Sequence, residues 1–308
     1  MNAIEVNGLS YSYGGVTALR DVSFTVPEGA LYALLGPNGS GKTTLLQLLM
    51  GLRHASAGRL SVLGTDSGAL TLRDRTRVGY IAEGQPLPAW MRLEQLEAYL
   101  APLYPTWDRG LAHELRERFA LDPHRKIGTL SRGEHMKAAL LCALAPRPQL
   151  LLMDEPFTGM DALVKDDLVR GLLDASGSEG WTVLISSHDI GEIELLADWV
   201  GFLQQGQMRL SEPMDLLRER FKRVTVVGGS TMADDRAVDA TWLDVQRAGR
   251  RLSFIVSDAG DTLAHRLRAR FPDAERVEIA DASLREIFVA LARPSSPANL
   301  RTRSEEAA

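Results

Sequence analysis

Leu31-Tyr32-Ala33-Leu34-Leu35-Gly36-Pro37-Asn38-Gly39-Ser40-Gly41-Lys42-Thr43-Thr44-Leu45-Leu46 passes from an apolar run through a glycine-rich turn into a second apolar run. An apolar run reads as a buried strand, Gly36 to Thr43 fits the pattern G-x-x-x-x-G-K-[ST], and Thr44 to Leu49 reads as the first turns of a helix. Strand, glycine-rich turn and helix in that order are the context this phosphate-binding loop requires. Glycines let backbone N–H groups converge on phosphate oxygens, and a helix N-terminus favours the anion. The segment therefore implies binding of a nucleoside triphosphate by Gly36, Pro37, Asn38, Gly39, Ser40, Gly41, Lys42, Thr43 and Thr44. Lys42 would reach the β- and γ-phosphates, and the Thr43 hydroxyl would be offered to Mg²⁺.

Upstream of the loop, Ala3-Ile4-Glu5-Val6 and Val22-Ser23-Phe24-Thr25-Val26 alternate as antiparallel strands do, with turns at Tyr13-Gly14-Gly15 and Glu28-Gly29. Residues 59 to 82 read as short strands, the last being Arg77-Val78-Gly79-Tyr80-Ile81-Ala82. From residue 89 to 146 the apolar positions recur at helical spacing, as in Leu93, Leu96, Leu100 and Leu103. This predicts a helical insertion in an α/β core. Continuous apolar runs return at Leu150-Leu151-Leu152-Met153 and Thr182-Val183-Leu184-Ile185, as in a buried parallel sheet. After residue 215, strand-like pieces at Val224, Leu252 and Val277 alternate with helical patterns at 260–271 and 282–292. These predict a small α+β unit. From Pro294 the composition is that of a disordered tail.

Two further segments lie downstream in an order that matters. Leu150-Leu151-Leu152-Met153-Asp154-Glu155 is an apolar strand ending in two carboxylates. Asp154 would hold Mg²⁺, and Glu155 would polarise an attacking water as general base. Leu130-Ser131-Arg132-Gly133-Glu134 opens a helix, and Ser131 with Glu134 also fits a helix capping box.

With that segment the chain resembles the nucleotide-binding subunits of ATP-binding-cassette (ABC) transporters, whose signature L-S-G-G-Q lies between the phosphate loop and the Walker B strand. Here Arg132 replaces a glycine and Glu134 the glutamine, while Ser131 and Gly133 are retained. Pro156-Phe157-Thr158-Gly159-Met160-Asp161 looks like the family's D-loop, and Ser186-Ser187-His188 like its H-loop, with His188 near the γ-phosphate. Tyr13 looks like the A-loop aromatic that stacks on adenine, although Tyr11 lies two residues away on the same strand face. The place of the Q-loop glutamine is held by Glu83. A carboxylate can ligate Mg²⁺ but adds negative charge beside the phosphates.

The resemblance covers residues 1 to about 212. It implies a P-loop NTPase (RecA-like) core with an antiparallel β subdomain and an inserted helical subdomain near 84–148. The expected domains are a nucleotide-binding domain over 1–214, an accessory α+β domain over 215–293 and a tail over 294–308. It also implies Mg-ATP held between two cassettes packed head to tail, with hydrolysis through Glu155, His188 and Lys42. The metal would rest on Thr43, Asp154 and Glu83. Ser131, Arg132, Gly133, Glu134 and Asp161 would border the nucleotide together with Tyr13 and the phosphate loop. A separate membrane-spanning permease subunit is the implied partner, which would place the chain in the cytoplasm at the inner face of the membrane. Trp90 and Met91 would either contact that partner or pack in the core. Ser283-Leu284-Arg285-Glu286-Ile287-Phe288 resembles an ending of exporter-type (ABC-2-like) cassettes and equally fits a plain amphipathic helix. With the extra C-terminal unit it points to export.

Composition narrows the classes. Hydrophobic residues make up 45% and charged residues 24% of 308, ordinary for a globular chain. The net charge of −5 gives no reason to expect nucleic acid. The one cysteine, Cys142, excludes an internal disulfide and suits a cytosolic setting. No signal peptide is expected at Met1-Asn2-Ala3-Ile4, and no apolar run reaches the roughly 20 residues needed to span a bilayer. The competing classes are a soluble cassette acting on nucleic acid or the ribosome, and a regulatory cassette that no longer hydrolyses ATP. A single cassette without heptads or zinc-binding cysteines disfavours the first. Intact Lys42, Asp154, Glu155 and His188 disfavour the second, which Glu83 and Arg132 keep open.

Overall fold

The computed structural model describes residues 1–160, 164–165, 168–170, 180–194, 196–228, 239, 241–260 and 262–292. The tail expected over 294–308 lies outside the described residues. The chain divides into two compact units, Met1–Ser211 and Glu212–Ala308.

In the first unit, β1 (Asn2–Tyr13) and β2 (Val16–Pro27) pair antiparallel. Their turn uses Gly14 and Gly15 at φ 50° and 97°, a region closed to most side chains. Alternation puts Ile4 and Val6 of β1 and Val22, Phe24 and Val26 of β2 on the buried face, and a register shift between Val6 and Leu9 brings Leu9 back to it. β3 (Leu31–Leu35) belongs to a different sheet, and all five of its residues are buried. The phosphate loop follows, then α1 (Lys42–Leu49), which buries Leu45, Leu46, Leu48 and Leu49. β4 (Ala57–Val62) and β5 (Thr65–Asp66) complete the antiparallel sheet in the order β2-β1-β4-β5.

The region before β6 (Val78–Ile81) is not all strand. Leu72–Arg75 forms a short helix, α2, because Thr71 and Asp74 make a reciprocal capping box that satisfies its first amides. Helices α3 (Leu93–Leu100), α4 (Arg109–Arg118) and α5 (Arg132–Leu144) occupy the stretch of helical periodicity. Leu93 and Leu96, Leu111 and Leu115, and Met136 and Leu140 face inward at the three- and four-residue spacing of one helix face.

β7 (Leu150–Asp154), β8 (Thr182–Ser187), β9 (Trp199–Gln204) and β10 (Gln207–Pro213) complete a six-stranded sheet of order β10-β9-β3-β8-β7-β6. The pairs β6/β7, β7/β8, β8/β3 and β3/β9 are parallel. β8 lies between β3 and β7, so the phosphate loop, the acidic pair and the Ser186-Ser187-His188 segment leave neighbouring strands at the same, carboxyl end. That end is where open parallel sheets place their ligands. Tyr32, Leu34, Leu150, Leu152 and Leu184 share one core with the β1–β2 face and α1.

The second unit is an antiparallel sheet of order β12-β13-β11-β14, formed by β11 (Lys222–Val227), β12 (Leu243–Ala248), β13 (Arg251–Val256) and β14 (Arg276–Asp281). Val224, Val226, Leu252 and Phe254 pack with Leu263, Leu267 and Phe271 in its core, with Trp242 stacked on Phe254 at 3.8 Å. Helices occupy Leu263–Arg270 and Leu284–Ala292. Among the described residues no helix is long and apolar enough to cross a membrane.

Candidate functional site

The phosphate loop is shaped by close packing at two glycines. A Cβ on Gly36 would lie 2.3 Å from the Leu203 carbonyl oxygen. Gly41 caps α1 at φ 107°, and a Cβ there would meet Leu19 at 2.7 Å and the Ala18 carbonyl at 2.8 Å. No acidic residue occupies the first turn of α1, so its partial positive end is left to a ligand. The Ser40 hydroxyl is buried without a hydrogen-bond partner inside the loop. Thr43 is exposed, whereas Thr44 is buried, and its hydroxyl hydrogen-bonds the Tyr13 phenol at 3.2 Å.

Lys42 is 5% exposed, and its ammonium donates to the carbonyls of Gly36 at 2.7 Å and Pro37 at 3.3 Å. It also lies 3.1 Å from Glu155 Oε1. That oxygen accepts no aligned hydrogen bond, so the contact is held by charge alone. The other carboxylate oxygen, Oε2, meets His188 Nδ1 at 2.7 Å and accepts from the Thr158 hydroxyl at 3.4 Å. Glu155 itself sits in the left-handed region at φ 48°, which turns its side chain off the strand end. Its amide is held there by the Ser186 carbonyl at 3.2 Å and the Ser186 hydroxyl at 3.0 Å.

The Ser186 hydroxyl in turn donates to Asp154 Oδ1 at 2.7 Å. Asp154 is 1% exposed, and its Oδ2 has no partner. An orphaned carboxylate oxygen this deep is costly unless a cation or its water shell takes it. The oxygen-only donor set of Asp154 and Thr43 suits Mg²⁺. Ser186 and Thr158 were not assigned a role from sequence. A small hydroxyl residue ending an otherwise apolar strand was the signal for Ser186.

Ser131 is the N-cap of α5, accepting from the Glu134 amide at 3.3 Å while its own amide donates to Glu134 Oε2 at 2.8 Å. Arg125 pairs with the other Glu134 oxygen at 2.5 Å. The Ser131 amide above all holds the Glu134 carboxyl below its usual pKa, so this glutamate is committed to the cap. Gly133 is buried, and a Cβ there would stand 2.5 Å from Val164 Cγ1. The exposed Arg132 extends over Gly159, where a Cβ would collide with its guanidinium. Among the described residues no hydrogen bond or ion pair joins Ser131 to Glu134 with the phosphate loop.

Glu83 is exposed and makes no hydrogen bond or ion pair among the described residues. Gln85 instead accepts from the Ala82 amide at 3.0 Å and closes that turn. Asp161 lies outside the described residues. Trp90 is 71% exposed, so its indole is not core packing. Tyr11 packs against the core while Tyr13 reaches Thr44, so of the two it is Tyr13 that stands at the nucleotide loop.

A parallel sheet with a glycine loop, a buried lysine and two strand-end carboxylates at one edge defines a P-loop nucleotide-binding domain. Residues 19–158 match the ABC transporter family. The sulfate/thiosulfate import ATP-binding protein CysA of Yersinia pseudotuberculosis is 36% identical over 227 residues, 70% of this chain. The matched stretch spans 62% of that protein's length. The ABC transporter ATP-binding protein YtrB of Bacillus subtilis is 31% identical over 221 residues, covering 72% of this chain and 75% of YtrB. A solved ATP-binding subunit of an ABC transporter superimposes with a TM-score of 0.64 at 27% identity, covering 70% of this chain and 92% of the other. The chain belongs to the ATP-binding proteins of the ABC transporter family.

Proposed function

We propose that this chain binds and hydrolyses Mg-ATP and that the released energy drives a transporter whose membrane-spanning part is a separate subunit. The observation that carries the reading is the convergence of Lys42, Glu155 and His188 within hydrogen-bonding distance, beside Asp154, at the carboxyl end of the sheet. Lys42 would exchange its loop carbonyls and Glu155 for the β- and γ-phosphates. Glu155, released from Lys42 but still held by His188, would orient water and take its proton. Mg²⁺, when bound by Asp154 and Thr43, would neutralise phosphate charge. The chemistry rests on positioning and charge stabilisation, without a covalent intermediate.

Among the described residues no hydrogen bond or ion pair joins Ser131 or Gly133 to their own phosphate loop, which supports a site completed by a second cassette's signature. Asp161 and Arg132 would border that shared site, and Glu83 keeps only a conditional role at the metal, since it is exposed. Residues 215–293 form an accessory domain in this reading, a subunit contact or a regulator of pairing, and 294–308 a tail. The chain would sit in the cytoplasm on the inner face of the membrane, held by the permease, with Trp90 facing that partner. Export stays part of the proposal on the strength of the C-terminal unit, although CysA carries import in its name.

Phosphate release from ATP by the full chain, with Glu155→Gln as control, tests the hydrolytic part. Activity unaffected by that substitution would remove Glu155 from the reaction. Co-purification with a membrane protein tests the transporter part, and recovery with nucleic acid or ribosomes instead would overturn it.

A further inference from the structure

Arg53 follows α1 by one tight turn. Gly51 at φ 62° reverses the chain, and the Leu52 amide donates back to the Gln47 carbonyl at 2.9 Å. The reversal carries the Arg53 side chain back along α1. Its Nε donates to Gln47 Oε1 at 2.5 Å, and Nη1 donates to the Tyr11 hydroxyl at 3.3 Å. The guanidinium carbon lies 4.7 Å from the Tyr13 ring centroid and 5.9 Å from that of Tyr11. Among the described residues no carboxylate pairs with Arg53, so its charge is directed at the two rings.

Tyr13 is thereby held in three ways. Its hydroxyl meets Thr44 at 3.2 Å, Tyr11 packs against it edge to face at 4.9 Å, and Arg53 lies over its ring. The ring nevertheless exposes 39% of its surface. A planar aromatic fixed this way, beside a triphosphate loop, has an outer face to offer to another flat ring. The cation on the ring also draws π-density from it, which favours stacking with an electron-rich purine.

We infer that Arg53 is a positioning residue for the nucleotide base: it fixes Tyr13 as a purine-stacking platform and sets base affinity without touching the phosphates. The inference rests on the reading of Tyr13 as the base-stacking residue. Arg53 and Tyr13 then act as one unit. Removing either collapses the platform, and removing the second adds little.

The test is equilibrium titration of the full-length chain with ATP and with inorganic tripolyphosphate, which has the charge but no base. Turnover at saturating ATP is measured alongside. Arg53→Ala should weaken ATP binding about 3- to 10-fold, the range of a partly desolvated cation–π contact. It should leave tripolyphosphate affinity and the saturated turnover within about 2-fold, the separation expected when only ground-state binding is lost. Arg53→Lys should restore part of the loss, and Arg53→Ala should add nothing in a Tyr13→Ala background. Equal weakening of ATP and tripolyphosphate would mean that loss of the Gln47 contact deformed α1, which overturns the inference. So would an unchanged ATP affinity in Arg53→Ala while Tyr13→Ala weakens it. If Tyr13→Ala itself changes nothing, the base-stacking reading fails first and takes the inference with it.

Discussion

Replacing Glu155 by Gln should separate binding from turnover, and the geometry sets the scale. At 3.1 Å, in an effective dielectric near 20, the Lys42–Glu155 attraction is about 5 kcal/mol. Both side chains are under 9% exposed, so solvent screens the pair little. An incoming triphosphate must break this contact before Lys42 can serve it. Glutamine keeps the shape and the Thr158 contact but removes the charge, and the Gly36 and Pro37 carbonyls alone then hold the ammonium. Most of that gross attraction is already offset by the desolvation cost the two buried charges bear in the pair, so only a small part of it is gained in binding when the charge is removed. About 1.4 kcal/mol surviving as binding would tighten ATP roughly tenfold. Turnover should fall about 100- to 1,000-fold with the loss of a general base. The assay is titration with a fluorescent ATP analogue, paired with phosphate release and a urea midpoint to check folding. A folded variant that binds ATP more weakly, or turns over at the parental rate, would refute the reasoning.

Ser186→Ala should cost about 1–3 kcal/mol of stability, because the Asp154 oxygen and Glu155 amide it serves are buried, and it should raise the Mg²⁺ needed for half-maximal turnover. Urea denaturation and a metal titration read the two effects. Gly41→Ala should abolish nucleotide binding while leaving the sheet intact by circular dichroism, since its Cβ would displace Leu19 and the loop. Glu83→Gln should leave Mg²⁺ dependence unchanged, as the exposed carboxylate makes no hydrogen bond or ion pair among the described residues; a clear shift would put it at the metal after all. Cys142 is half-buried, and desolvation with the nearby Glu97 charge pushes its thiol up to about 12, so it should alkylate more slowly at pH 8 in the native chain than once the chain is unfolded. Equal labelling rates in the native and unfolded chain would contradict that shift.

Much of this was legible from residue order. Gly36 to Thr43 and the run ending at Asp154-Glu155 carry their geometry in local rules: glycine where side chains clash, apolar continuity where both sheet faces are covered. Alternation likewise revealed β1 and β2. What escaped sequence reading depends on contacts between distant positions. Tyr11 and Tyr13 are two residues apart, and what distinguishes them is that Tyr11 packs against the core while Tyr13 meets the Thr44 hydroxyl 31 residues away. Ser186 looked like part of a histidine motif, and its bridge to Asp154 spans 32 residues. The α2 helix was hidden because a Thr71–Asp74 box outweighs a short segment's weak strand pattern. Glu134 showed both a signature place and a cap. The structure commits its side chain to the cap.

β8 has one further consequence. Its register sets Leu35 opposite Ser187 on one side and Asp154 opposite Ser186 on the other. It thus works as a ruler between the phosphate loop and the acidic pair. Because side chains alternate with a period of two, inserting one residue within β8 would turn Ser186 to the opposite face and offset both neighbours at once. Loops at the opposite, amino end of the sheet can lengthen or change composition with little effect on the spacing of Lys42 and Glu155. The number of residues in the strand cannot change without losing it.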